Sequence, residues 1–268
     1  MALFLFLSLV HAVFYVACIY AAVALRPPPP DVAGSRDHPH VIGQRIRGAV
    51  VATAASLAAT AYTLRKEDWV SQLGLAPRAA LGSACAGLVL TCALYLGPLT
   101  MDCLDRQSPW ALCARPSAVW WRNYVVGPVT EELVFRSVVV SLWLAAGVSS
   151  LVAVLVSPLV FSVAHIHHAV ASYCAGTPLS HAAAAMLAQL AYTSLFGCYA
   201  AMMFVRTGSV VGPVVAHIVC NVQGLPSISR INQHPAKYAL WAVHGAGVLG
   251  LVLLFEPMTR PGIFYVKG

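Results

Sequence analysis

Charge is what this sequence has least of. Asp, Glu, Lys and Arg together make up 9% of its 268 residues, where a soluble domain carries roughly 25%. With 59% hydrophobic residues and a mean hydropathy of +0.77, the composition excludes an ordinary water-soluble domain and leaves a multi-span membrane protein. Short alternating strands are missing, which excludes a membrane β-barrel. The eight cysteines (Cys18, Cys85, Cys92, Cys103, Cys113, Cys174, Cys198 and Cys220) contain no CxxC pair. Most lie within apolar runs and read as small buried hydrophobes, not as a disulfide framework or a zinc cluster. The sequence also lacks an HExxH motif and any basic run interleaved with aromatics, so nucleic acid is not an expected partner. No internal repeat is visible, whereas many transporters are built from inverted repeats.

What the chain does contain is long apolar runs. They fall at approximately Ala2–Leu25, Gly48–Leu64, Ala79–Thr100, Ser137–Val160, Ala182–Val205 and Tyr238–Phe255, with two shorter or more polar segments at Ala118–Phe135 and Ser209–Val222. At about 20 residues per span these account for the length, so the expectation is one all-α membrane domain, residues 1–268, with about eight helices. The first run has no cationic segment before it and is long for a cleaved leader, so it is expected to stay as a membrane helix. The prolines of Arg26–Pro30 then open a polar linker that cannot be helical there. The net charge of +7 comes largely from residues near span ends, among them Arg45, Arg47, Arg65, Lys66, Arg122 and Arg206. These read as anchors at lipid headgroups. They occur in nearly every loop, so the charge pattern sets no orientation.

Against that background the ionisable groups of the second half stand out, because each costs roughly 2.5–3.5 kcal/mol at membrane depth. They are Glu131, Glu132 and Arg136, then His165, His167 and His168, then His217 with Asn221. Pro128 suits the first turn of a helix and Thr130 its cap. Within that helix Glu132 and Arg136 are four apart in the better pairing orientation. Glu131 points about 100° away, free to face a cavity. Phe161 and His165 share a face in the same way, and so do His217 and Asn221. Two neutral donors converging on one point suit an oxyanion. Taken singly, the groups also fit an ion-pair cluster, interfacial histidines and interhelical hydrogen bonds. Taken together they fit hydrolysis, with Glu131 and His165 activating water and His217 and Asn221 holding the oxyanion. Rival readings are a zinc protease using Glu131, His165 and His217 as ligands, a cysteine protease built on Cys220, a proton or ion relay in a transporter, and a non-catalytic membrane scaffold.

The three motifs stand in order as EELVFR (131–136), Phe161 to His165, and His217 to Asn221. In this the chain resembles the type II CAAX prenyl endopeptidases, the Rce1 branch of the wider ABI family of membrane proteases. The similarity runs from about Trp120 to Pro226 and marks a catalytic core of approximately 118–226. The resemblance implies an eight-span helical bundle in the endoplasmic reticulum membrane, with an intramembrane cavity open to the cytosol. It implies removal of the last three residues from prenylated C-a-a-X proteins such as small GTPases. It assigns water activation to Glu131 and His165, the oxyanion site to His217 and Asn221, and supporting roles to Glu132, Arg136, Phe161 and His168. No cofactor is expected, zinc being the alternative. A departure lies at residues 169–181, which hold no Asp, Glu, Lys or Arg, where family members tend to carry a longer charged connection.

Overall fold

The computed structural model describes residues 2–30, 35–64, 68–107, 116–163 and 166–264, with the backbone alone at 163 and 167–169. The described residues are helical wherever they are regular, and none forms a strand. The helices are α1 (Ala2–Leu25), α2 (Pro39–Leu64), α3 (Pro77–Leu94), α4 (Leu96–Leu104), α5 (residues 118–145), α6 (Ser150–Val163), α7 (Ile166–Cys174), α8 (Leu179–Thr207), α9 (Val211–Gln223), α10 (Ile228–Gln233) and α11 (Lys237–Met258). Among the described residues, four stretches are long and apolar enough to cross a membrane: α1, α3 with the turn before it, α8 and α11. Large apolar side chains such as Leu3, Phe6, Leu195, Leu249 and Val252 are exposed on three of them. An exposed apolar surface of this extent is what lipid requires of a spanning helix. The protein is an all-α polytopic membrane protein.

The spans expected from sequence are cut differently in three places. The run Ser137–Val160 is two helices, because the chain turns at Gly147 with φ +79°, a conformation that favours glycine. The run Ala79–Thr100 breaks at Tyr95 between α3 and α4. Pro98 has no N–H for the Leu94 carbonyl, and its ring crowds that oxygen. Third, Pro128 stands in the first turn of an α-helical segment, Gly127–Glu132, but that segment continues a helix already begun. The helix starts at Ala118, where the Ser117 hydroxyl accepts from the Trp120 N–H at 3.1 Å. A π-helical turn, Arg122–Val126, precedes the proline, so the missing donor is absorbed by a wider turn. Thr130, expected as a cap, instead donates to the Val126 carbonyl at 2.7 Å and pairs with the Tyr15 hydroxyl at 2.9 Å.

Helix α5 runs through the middle of the molecule, against α1, α2, α6, α8 and α9. Its second half is a π-helical segment, Leu133–Val140, in which Val134, Val138, Val139 and Val140 are fully buried. The short apolar helix α9, which carries His217 and Asn221, is held against α3 by close backbone approach. The Ser83 hydroxyl accepts from the Gly212 N–H at 3.0 Å, and a Cβ on Gly87 would meet the Gly212 carbonyl. Small residues one turn apart, Ser83 and Gly87, are what permit this approach in a membrane interface. The packing fixes the depth of His217 on α9 relative to Glu131 on α5.

Candidate active site

The centre of the site is a carboxylate with no access to solvent. Glu132 is 0% exposed. Its Oε1 accepts from Arg136 Nη1 at 3.0 Å and from His217 Nδ1 at 2.7 Å. The i,i+4 pair read from the sequence is therefore formed, and a third group from α9 completes it. A carboxylate accepts only, so the Nδ1 proton belongs to His217 and its Nε2 is turned the other way. Arg136 is enclosed by aromatic rings, its guanidinium carbon 4.8 Å from the Phe161 centroid and 5.5 Å from that of Phe196. Phe161 also meets Phe135 edge-to-face at 4.9 Å, while Phe196 packs against the His217 ring at 4.8 Å. Such a cage holds the cation in a low-dielectric site where it is attracted to ring faces.

Glu131 is placed quite differently. Its side chain is 26% exposed and its Oε2 lies 3.9 Å from His217 Nε2. It borders two cavities. One, of about 730 Å³, is lined largely by apolar and aromatic groups, among them Phe161, Tyr192, Phe196, Tyr199 and Leu251. The other, of about 210 Å³, lies between α1, α2 and α5 and is bordered by Arg36, Arg45 and Arg122. Asn221 borders both cavities as well. Its Nδ2 donates to the Asn123 carbonyl at 2.9 Å, and the amide has a second hydrogen to offer. Glu131, Glu132, Arg136, Phe161, His217 and Asn221 are thus gathered at one place. His165 and the side chain of His168 lie outside the described residues. Cys220 and Tyr95 share one wall of the larger cavity.

A family model for the type II CAAX prenyl endopeptidases, Rce1-like, matches residues 114–223. The CAAX prenyl protease 2 of Homo sapiens is 34% identical over 85% of this chain and 75% of its own length. The chain belongs to the Rce1-like type II CAAX prenyl endopeptidases. The CAAX prenyl protease 2 of Arabidopsis thaliana is similar to it at 31% identity over 93% of this chain and 87% of the relative. That of Caenorhabditis elegans is 31% identical over 85% and 89%. No solved structure matches the chain. The Rce1-like match spans α5 through α9, so it contains the buried Glu132–Arg136–His217 group in full. It excludes α1 and α2, which supply Tyr15, Arg45 and one wall of the smaller cavity.

Sequence reasoning missed three parts of the site. The Glu132–His217 bond joins residues 85 apart, and no local spacing announces it. The Asn123 carbonyl that receives Asn221 is a backbone group with no sequence signature. The third is the set of arginines at the smaller cavity: Arg45 and Arg122 read from sequence as headgroup anchors because they lie near span ends, and Arg36 carries no signal there.

Proposed function

We propose that the protein removes the C-terminal tripeptide from prenylated CAAX proteins, small GTPases among them, by glutamate-based hydrolysis. The observation that carries this reading is the position of Glu131. It is a partly exposed carboxylate at the junction of an apolar cavity large enough for an isoprenoid and a polar one, beside a histidine held by a second carboxylate. The prenyl chain occupies the larger cavity. The scissile amide, between prenyl-cysteine and the next residue, lies at Glu131.

In the reaction Glu131, with His165, takes a proton from water as the oxygen attacks the amide carbonyl. The oxyanion that forms accepts from Asn221 Nδ2 and from His217 Nε2. Donation from Nε2 uses the ring with both nitrogens protonated; Glu132 faces its Nδ1 side, and the oxyanion itself supplies the negative charge at Nε2 once Glu131 has taken up the water proton. Glu131 then passes its proton to the leaving amine, the C–N bond breaks, and prenyl-cysteine becomes the new C-terminus. Arg136 and the Phe161 and Phe196 rings hold Glu132, and through it His217, in place. The site of action is the endoplasmic reticulum membrane, with the cavity reached from the cytosol.

The test is cleavage of a farnesylated CAAX peptide by the purified protein, with and without a strong zinc chelator. Cleavage that needs the prenyl group and survives the chelator supports glutamate chemistry. Cleavage lost to the chelator and restored by zinc makes Glu131, His165 and His217 ligands instead. A folded protein that cleaves nothing overturns the protease reading.

A further inference from the structure

The smaller cavity carries more positive charge than hydrolysis uses. Arg36, Arg45 and Arg122 border it, and Glu131 is the acidic residue in its wall. Arg122 donates to Asp37 at 2.8 Å. Among the described residues this leaves three guanidiniums against two carboxylates, a surplus of one positive charge. Burial and the nearby Arg122 and Arg45 guanidiniums lower the Arg36 pKa, the sign of cations crowded together. Arg45 lies over the Tyr20 ring at 5.5 Å, and its buried Nε has no hydrogen-bond partner among the described residues. A buried donor left unmatched is costly, and an anion is the partner it lacks.

The distance also fits. Glu131 follows Arg122 on α5 by nine residues, roughly 13 Å along a helix. An extended tripeptide covers about 10 Å, and the length of an arginine side chain is enough to span the remainder. We infer that the cavity bordered by Arg36, Arg45 and Arg122 is the subsite for the departing tripeptide, with its C-terminal α-carboxylate bound by these arginines. The inference rests on the function proposed above and adds to it the substrate group that the three cations recognise. A guanidinium suits a carboxylate through paired, charge-assisted hydrogen bonds. The device measures where the chain ends. A substrate whose carboxylate reaches the arginines has its scissile amide at Glu131, and a chain that continues past the tripeptide leaves them unmatched.

The experiment compares one farnesylated CAAX peptide as the free acid and as the C-terminal amide, using purified full-length protein and its Arg45→Gln and Arg36→Gln variants. The wild type is expected to favour the acid by roughly tenfold or more in kcat/KM, the size of a charge-assisted hydrogen bond. In the variants the acid-to-amide ratio falls toward one, mainly through KM for the acid. The ratio is read within each preparation, so a lower yield of folded protein does not disturb it. Equal cleavage of acid and amide by the wild type overturns the inference. So does a ratio unchanged in both variants, or an equal fall on both substrates, which assigns the arginines to a lipid headgroup phosphate or to the fold. Failure of the wild type to cleave either peptide overturns the protease reading instead.

Discussion

Removing Arg136 tests the reasoning most sharply, because the partner it leaves behind has nowhere to go. In Arg136→Ala, Glu132 remains 0% exposed and keeps only the His217 Nδ1–H at 2.7 Å. Breaking a buried pair by deleting one member costs about 3–5 kcal/mol. The lost guanidinium also faced Phe161 and Phe196, each contact worth about 0.5–2 kcal/mol when desolvated. Against a total stability of about 5–15 kcal/mol, the variant should lose a large share. For a chain of this size that is a fall in Tm of roughly 10 °C or more. The double variant Glu132→Gln with Arg136→Met keeps similar volume and a neutral acceptor for His217. Replacing both members of a buried pair is often near neutral, so it should recover much of the loss. Thermal unfolding of detergent-purified protein, read for Arg136→Ala, for the singles Glu132→Gln and Arg136→Met and for their double, gives the coupling directly. An Arg136→Ala melting temperature equal to wild type, or a double variant no better than the single, would refute the argument that the charge is left stranded.

Glu131→Gln should lower peptide cleavage by about 10²–10⁴-fold, the usual weight of general base catalysis, with a melting temperature close to wild type because this side chain borders open cavities. Retained activity in the purified variant would remove Glu131 from the reaction. Gly87→Ala drives a Cβ into the Gly212 carbonyl and should cost about 1–3 kcal/mol, with a loss of cleavage as α9 shifts His217. Gly245→Ala is the control: its Cβ meets nothing within 4 Å, and a helical alanine there should raise stability by about 0.4–1 kcal/mol.

The parts of this site legible in the sequence are those that depend on neighbours along one helix. Glu132 pairs with Arg136 because they are one turn apart, and Glu131 diverges from them because it is 100° away. Polar residues at membrane depth announced a site, and their order announced the family. Long-range relations were not legible. His217 binds Glu132 across 85 residues and Asn221 binds Asn123 across 98, so both depend on how α9 docks rather than on spacing. Pro128 was legible only in part: it stands in the first turn of the α-helical segment Gly127–Glu132, yet a π-helical turn before it lets α5 continue unbroken from Ala118. The glycine turn at Gly147 was visible in the sequence as a residue but not as a break, since apolar residues flank it on both sides and hydropathy alone bridges it.

The meeting of two unlike cavities at Glu131 has a consequence for turnover. Cutting the bond turns one amphiphile into two molecules with opposite preferences. On the placement proposed above, the prenyl-cysteine end remains in the aromatic cavity whose wall includes the exposed Leu195. The tripeptide is left, on the same placement, beside Arg45 and Arg122, which border the smaller cavity alone, and Arg36, which borders both, with a new ammonium group that those cations repel. On that placement the two fragments part from the cut in opposite directions, which disfavours re-ligation.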